Sequence, residues 1–284
     1  MQLKDWRLAA EAKLKLAGIE TAHLDCLLLL EFVLSSRREH LLAYPEIEID
    51  PMQLDQLNKL LKERAKHTPI AYLRGTSEFY GRNFVIKPSV LVPRPESEAM
   101  IELLDELLDA KIAPSDHTAA LPLSRLPHSI ADIGTGSGAL AITAKLEHPE
   151  CLVDAYDIDE SALAVAKTNV DLFTLNIRTT RSNLVSNLLQ SYDIFLCNLP
   201  YVPDTFKINS AAKWEPEIAL FGGNDGLNLY RELFEQIKKH NQHPLYILFE
   251  SFPSQISEIT SLAAKSSYRL VKTNDFASLF ELTQ

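Results

Sequence analysis

Apolar positions along the chain follow two different periods. Over residues 1–70 they recur at helical spacing: Trp6, Ala9, Ala10, Leu14 and Ala17 fall on one stripe, and Gly18 suits its stop. Thr21 can cap the apolar run that follows, and Asp50-Pro51 reads as an N-cap with proline at the first helical position, opening a helix through Leu54, Leu57, Leu60 and Leu61. The pattern predicts a small domain of helices alone, its apolar stripes turned to a core and no catalytic constellation of its own. Residues 71–95 break that period. Aromatic and branched residues around Tyr80-Gly81 predict a β-hairpin and linker, after which Pro95 starts a helix carrying Ile101, Leu104 and Leu108. The run "APSDHTAALPLSRLPH", residues 113–128, has three prolines and no sustained period, which predicts a connection on the surface with no function assigned.

From Ser129 short apolar strands alternate with amphipathic helices. SIADI, CLVDAYD, YDIFLCN and LYILFE read as strands, and GALAITAKLEH, ESALAVAKTNVDLF, LNLYRELFEQIKKH and PSQISEITSLAAK as helices. That alternation predicts an α/β domain over residues 96–284, a mostly parallel sheet with helices on both faces. Ligands then belong at the carboxyl ends of the strands.

Composition narrows the function without naming it. A chain of 284 residues with 46% apolar and 23% charged residues can bury a full core and fits one larger and one smaller domain. The first residues mix charges into every turn, which predicts neither signal peptide nor membrane anchor. Cys26, Cys151 and Cys197 are odd in number, widely spaced and set among apolar neighbours. They suit thiols of a reducing compartment, the cytoplasm, better than a disulfide framework or a metal cage, and no metal site is expected. A formal net charge of −10 disfavours a nucleic-acid backbone as partner.

Three strand ends carry the candidate chemistry. In "ADIGTGSGAL", Gly134, Gly136 and Gly138, with Thr135 and Ser137 between them, let the backbone turn tightly and open a helix whose amides can hold an anionic group. Asp157 ends the next strand about twenty residues on, where a carboxylate can accept both ribose hydroxyls of a nucleoside cofactor; the following helix is better capped by Asp159 or Ser161. A dinucleotide and S-adenosyl-L-methionine both remain possible at this point, with the G-x-G-x-G spacing favouring the second. The third end, Asn198-Leu199-Pro200-Tyr201, adds an amide oxygen, a main-chain carbonyl, a rigid turn and a flat ring. A planar amide or aromatic amine is a poor nucleophile because its nitrogen lone pair is delocalised. The Asn198 oxygen and the Leu199 carbonyl can accept the two hydrogens of such a nitrogen and aim it at a sulfonium methyl, with Pro200 fixing the turn and Tyr201 against the planar group. An Asn-x-Pro turn after a strand is also common as mere structure; the glycines and Asp157 upstream, in the right order, favour the clamp.

With these residues in place the sequence resembles the release-factor glutamine methyltransferases, the HemK or PrmC family, over nearly its whole length. The similar stretches are "PIAYLRGTSEFYG", "LVPRPESEAMIELL", "ADIGTGSGALAI", "YDIDESALAVAKTN", "NLPY" and "WEPEIALFGGNDGLNLYRELFEQI". The resemblance implies a Rossmann-like methyltransferase sheet behind a helical substrate-recognition domain, S-adenosyl-L-methionine as cofactor, and methylation of the side-chain nitrogen (N5) of the glutamine in the GGQ loop of peptide chain release factors. It also implies that Asn183 faces the adenine and that Leu184 is among the cofactor-binding residues. Departures stand at Leu199, where the family usually has proline, at Asn183, where it usually has aspartate, after Glu250, where a glycine is expected, and near the C-terminus, which lacks the usual Gly and Arg. Two other readings stay open: an adenine-N6 methyltransferase on RNA or DNA, since Asn-Leu-Pro-Tyr is also the form of ribosomal RNA dimethyladenosine transferases, and a cofactor-binding homologue without turnover.

Overall fold

A computed structural model describes residues 1–109 and 128–283, so all but the last residue of the connection read at 113–128 lies outside the described residues. Two compact units emerge, Met1–Thr76 together with Ile208–Trp214, and Ser77–Lys207 together with Glu215–Gln284.

The first unit is helical: α1 (Leu3–Leu16), α2 (Ala22–Leu34), α3 (Arg38–Ala43), α4 (Pro51–Arg64) and α5 (Ile70–Arg74). Leu3, Trp6, Ala10 and Leu14 of α1 meet Cys26, Leu29 and Leu30 of α2 and Leu57 and Leu61 of α4 in one core. Ala9, read as part of the buried stripe, is exposed, and Leu3 takes the inner position instead, because a turn of 3.6 residues carries Ala9 past the edge of the face. Asp50 caps α4 as expected, accepting from the amides of Met52 and Gln53 in a full capping box. Thr21 does not cap α2: its hydroxyl donates to Asp25 at 3.1 Å, and Asp25 is held in turn by a buried ion pair to Arg64, Nε to Oδ2 2.6 Å.

A hairpin, β1 (Thr76–Phe79) and β2 (Arg82–Val85), follows, all but its first residue in the second unit, and turns at Tyr80-Gly81 with both residues at positive φ. This matches the right-handed twist of paired strands. Pro95 opens a 3₁₀ turn that runs into α6 (Glu98–Leu108), whose Ile101, Leu103, Leu104 and Leu107 are buried. Seven strands follow, β3 (Ser129–Ile133), β4 (Leu152–Asp157), β5 (Arg178–Arg181), β6 (Ile194–Cys197), β7 (Tyr246–Glu250), β8 (Tyr268–Asn274) and β9 (Ala277–Leu282), in the order β5-β4-β3-β6-β7-β9-β8. The first five run parallel; β9 pairs antiparallel with β7 and β8 with β9. Helices α7 (Ala139–Glu147), α8 (Glu160–Leu172), α9 (Asn228–Lys239) and α10 (Ile256–Ala264) connect or follow the strands. Tyr156, Phe195, Ile247, Phe249 and Phe280 of the sheet and Tyr230, Phe234 and Ile259 of α9 and α10 share one core.

The strand order reverses between β3 and β6, and that crevice is where an open α/β sheet leaves room for a ligand. Gly134 follows β3, Asp157 ends β4, and Asn198 follows β6. Among the described residues no helix is long and apolar enough to cross a membrane. Cys26, Cys151 and Cys197 are each buried, and none of them forms a disulfide.

Candidate active site at the carboxyl edge of the sheet

One cavity opens at the switch point. Its lining includes Gly134, Thr135, Gly136, Ser137, Asp157, Asn183, Leu184, Asn198, Leu199 and Pro200, so ten of the residues singled out in the sequence meet around one space. Gly138 and Tyr201 stand outside the lining. Phe79, Val90, Leu91, Pro93 and Leu140 supply apolar wall, and Ile218 and Ala219 come from the "WEPEIAL" stretch.

The glycine loop is a folded object rather than an open cradle of amides. The amides of Gly134 and Thr135 both donate to the Tyr156 carbonyl at 2.8 Å, Gly136 donates to Asp157 Oδ2 at 2.9 Å, and Gly138 donates to the Thr135 carbonyl at 2.8 Å. These bonds tie the loop to β4 and to itself, so the amides free for an anionic group are those of the helix that the loop opens. Ser137, Ala139 and Leu140, at the start of α7, keep amides with no protein acceptor among the described residues. Gly134 and Gly138 sit at φ 78° and 82°, where a side chain is strained, and a Cβ on Gly134 would press on Leu199 Cδ2 at 3.3 Å. Beneath the loop, Asp132 is buried; its Oδ2 accepts from the Thr135 hydroxyl at 2.6 Å and the Ala141 amide at 3.1 Å, and its Oδ1 has no partner among the described residues. Burial pushes this carboxyl up to about 7.

Asp157 accepts from Gly136 through Oδ2 and from Asp159 through Oδ1, both at 2.9 Å. Even with the Ile158 amide also bearing on it, the carboxylate's roughly four acceptor sites are not filled, and Asp157 lines the cavity. Its burial raises the carboxyl above the ordinary range. Asp159 caps α8 through the Ser161 amide at 2.7 Å, as the sequence suggested. Farther along, Asn183 donates Nδ2 to Glu232 Oε1 at 3.0 Å, so its own oxygen is turned away from that carboxylate. Leu184 beside it is buried at φ 48°, a left-handed conformation held by the Ser182 hydroxyl on its carbonyl at 2.8 Å.

At the end of β6, Asn198 donates Nδ2 to Ser97 Oγ and to Glu250 Oε2, each at 3.0 Å. Leu199 is buried, and its carbonyl is approached by the Tyr230 hydroxyl at 3.4 Å. That hydroxyl has one hydrogen, and its shorter contact is the Glu250 carbonyl, which leaves the Leu199 oxygen able to accept from a ligand. Tyr201 is held at two points. Its hydroxyl donates to Glu250 Oε1 at 2.9 Å and its ring meets Phe252 edge-on at 5.1 Å. These two contacts fix the ring, and Tyr201 does not line the cavity. The turn is braced from behind: Gln255 Nε2 donates to the Tyr201 carbonyl at 2.8 Å and the Asp225 carbonyl at 2.9 Å. Gly222 and Gly226 lie so close to the Pro200 and Tyr201 carbonyls that neither has room for a Cβ. Arg94 Nη2 pairs with the buried Glu215 at 2.6 Å, tying "PRPE" to "WEPE".

Sequence reasoning missed Ser97, Glu250, Tyr230 and Gln255. Glu250 carried the signal that selected Asp157, an acid at the carboxyl end of an apolar strand; the other three are small or neutral groups placed only by the fold. The comparisons with known proteins then decide the family. Residues 5–75 match the PrmC N-terminal domain, and residues 113–215 match the methyltransferase small domain. The release factor glutamine methyltransferase of Coxiella burnetii is 34% identical over 263 residues, 92% of this chain and 90% of that protein. That of Koribacter versatilis is 31% identical over 255 residues, 88% and 86% of the two. The chain belongs to the release factor glutamine methyltransferase family.

A bifunctional methyltransferase of Rickettsia bellii is 30% identical over 90% of this chain but 49% of its own length. Among solved structures a methyltransferase from Pyrococcus furiosus aligns with TM-score 0.51 at 18% identity over 81% of this chain and 99% of that one, a likeness of fold. Within the family the two departures in the cavity acquire a local setting. Leu199 keeps the main-chain oxygen that a proline would offer, and its side chain fills space against the glycine loop. Asn183 differs from an aspartate in having two donors, and Glu232 takes one of them.

Proposed function

We propose that this chain is an S-adenosyl-L-methionine-dependent N5-glutamine methyltransferase acting on the GGQ glutamine of peptide chain release factors, in the cytoplasm. The observation that carries the reading is the pair of acceptors at Asn198 and Leu199, set on the same cavity as Asp157 and the glycine loop. The residues fit the cofactor: Asp157 has acceptor capacity left for a ribose, the amides of Ser137, Ala139 and Leu140 suit a carboxylate, Asn183 offers an oxygen, and Leu140 and Val90 give apolar wall. Bound there, S-adenosyl-L-methionine supplies an electrophilic methyl group.

The protein's part is positioning. Asn198 Oδ1 and the Leu199 carbonyl accept the two N–H groups of the target amide and hold its nitrogen at a fixed place and angle, which recovers part of the reactivity that amide resonance removes. Pro200 limits the turn, and Gln255, Gly222 and Gly226 keep its carbonyls in place. The helical unit, which has no catalytic constellation, serves to grip the release factor. Incubation with methyl-labelled S-adenosylmethionine and purified release factor, followed by mass mapping of the labelled peptide, tests the reading. Label on the glutamine of the GGQ peptide is expected. Label on RNA or DNA in its place, or cofactor binding with no transfer to any release factor, overturns it.

A further inference from the structure

Outside the cofactor space and the acceptor pair, the site contains a buried carboxylate that the proposed function does not use. Glu250 ends β7, next to β6, which Asn198 directly follows; in the register, Cys197 faces Phe249, so the two side chains leave adjacent strands at the same level. Glu250 is almost wholly buried and collects three donors: the Asn198 amide at 3.0 Å, the Tyr201 hydroxyl at 2.9 Å, and the Ser97 hydroxyl.

A carboxamide has two ends of nearly equal shape and opposite hydrogen-bonding character. For Asn198 to accept an N–H from a substrate amide, its oxygen must face the cavity and its NH2 the protein. A serine hydroxyl takes its direction from its other partner: with its one hydrogen given to Glu250, Ser97 can only accept from Asn198, so its direction too is set by the carboxylate. An ionised carboxylate enforces that orientation of the amide, because it only accepts. Ser97 and Glu250 together take both hydrogens of Nδ2, and Oδ1 is the atom that remains. We infer that Glu250 is a positioning residue that makes Asn198 an acceptor, with Tyr201 holding the carboxylate in place from its other oxygen. This gives Tyr201 a role through Glu250 instead of through contact with the substrate. The inference rests on the proposed amide substrate, since only a donor in the cavity makes the direction of Asn198 matter.

Glu250→Gln keeps shape and volume and lifts the constraint, since a glutamine can present either an oxygen or an NH2 to Asn198. Turnover on release factor is expected to fall by ten-fold or more, with KM for release factor and Kd for S-adenosylhomocysteine within about two-fold of the parent. Ser97→Ala, which leaves the carboxylate in place on Asn198 Nδ2, is expected to cost less than three-fold in turnover. The direct readout is the side-chain ¹⁵NH2 resonance of Asn198, assigned by its loss in Asn198→Asp. In the parent both of its protons exchange slowly with solvent; in Glu250→Gln the resonance shifts and exchange quickens. Undiminished turnover in a folded Glu250→Gln overturns the inference, as does an equal loss in Ser97→Ala. So does fast exchange of both protons in the parent, a measurement that needs no variant to fold. If the parent itself transfers no methyl group to release factor, the proposed function fails, and the resonance alone decides whether Glu250 directs the amide.

Discussion

Gly226 and the main-chain oxygen of Tyr201 are in such close approach that a Cβ added to the glycine would stand under 3.0 Å from that oxygen. Gly226 also sits at φ 80°, so an alanine there would be strained even in open space. The loop "GGNDG" is thus the rear wall of the turn that presents Pro200 and Tyr201. Gly226→Ala is expected to lower stability by about 2–4 kcal/mol, combining a left-handed backbone penalty with overpacking against main chain. It should also reduce turnover more than cofactor affinity, because the displaced element is the acceptor turn. Urea unfolding and calorimetry with S-adenosylhomocysteine check the two parts; a variant as stable and active as the parent would show that the loop yields.

Arg94 and Glu215 form an ion pair that is lopsided in exposure, the carboxylate buried and the guanidinium about one-third exposed. Removing the arginine leaves a buried charge without its partner, and Arg94→Ala is expected to cost about 2–3 kcal/mol, below the range for fully buried pairs. Burial raises the Glu215 carboxyl and Arg94 opposes that rise. With the folded value above the unfolded one, the folded state holds the proton more tightly, so stability falls as pH rises between the two. Loss of Arg94 lifts the folded value further and widens that window upward. The penalty measured at pH 8 should therefore exceed that at pH 5. Equal penalties at both would mean that Glu215 does not hold its charge in the way described.

The legible parts of this fold were those where one short stretch decides the outcome. The capping box at Asp50, the Tyr80-Gly81 turn and the four apolar strands each follow from neighbours within a few residues. The edge strand β5, "RTTR", carries no apolar residue; it forms because its backbone pairs with β4 and Arg178 reaches Asp154. Strands β8 and β9 likewise owe their place to pairing across the sheet. In the site, Asp157 and Asn198 could be read because a carboxylate or amide at a strand end is visible in sequence. The bonds from Ser97 and Glu250 to Asn198 span 101 and 52 residues, and no local pattern signals them.

Asp132 gives a pH effect of definite sign. Burial raises its carboxyl from 3.8 to about 7, opposed by the Thr135 hydroxyl and the Ala141 amide and assisted by the nearby Asp157. Between those values the folded state holds a proton that the unfolded state releases, so stability decreases as pH rises, by up to about 1.4 kcal/mol per pH unit from this group. Asp132→Asn removes the titration. The difference in unfolding free energy between parent and variant should therefore change across pH 4–7 and level off above it. Parallel curves over that range would assign the pH dependence to other groups.

Asn183 and Glu232 repeat at the cofactor end the arrangement of an amide turned by a carboxylate. Restoring the family's usual acid by Asn183→Asp sets two carboxylates together, and no gain in S-adenosylhomocysteine affinity is expected. Asn183→Asp combined with Glu232→Gln keeps the acceptor, gains charge assistance and relieves the repulsion. It should bind more tightly than Asn183→Asp alone by about 0.5–1.5 kcal/mol, the scale of one hydrogen bond. Calorimetry on the parent, both singles and the double forms a complete cycle; a coupling near zero would mean that Glu232 does not direct Asn183.

Asn198 and Leu199 separate catalysis from binding most sharply. If Asn198 Oδ1 holds the target nitrogen mainly at the transition state, Asn198→Ala should reduce turnover by about 10²–10³ while cofactor affinity stays within about two-fold. Leu199 contributes a main-chain oxygen, which any residue supplies, and a side chain buried beside Gly134. Leu199→Pro keeps the oxygen and stiffens the turn, yet proline fills less of that space, so the gain in preorganisation is set against lost apolar contact of about 1 kcal/mol. Its turnover is expected within three-fold of the parent with slightly lower thermal stability. The two variants assayed together distinguish a clamp from a simple turn: a folded Asn198→Ala that methylates release factor at the parent's rate would reduce Asn198 to a turn residue.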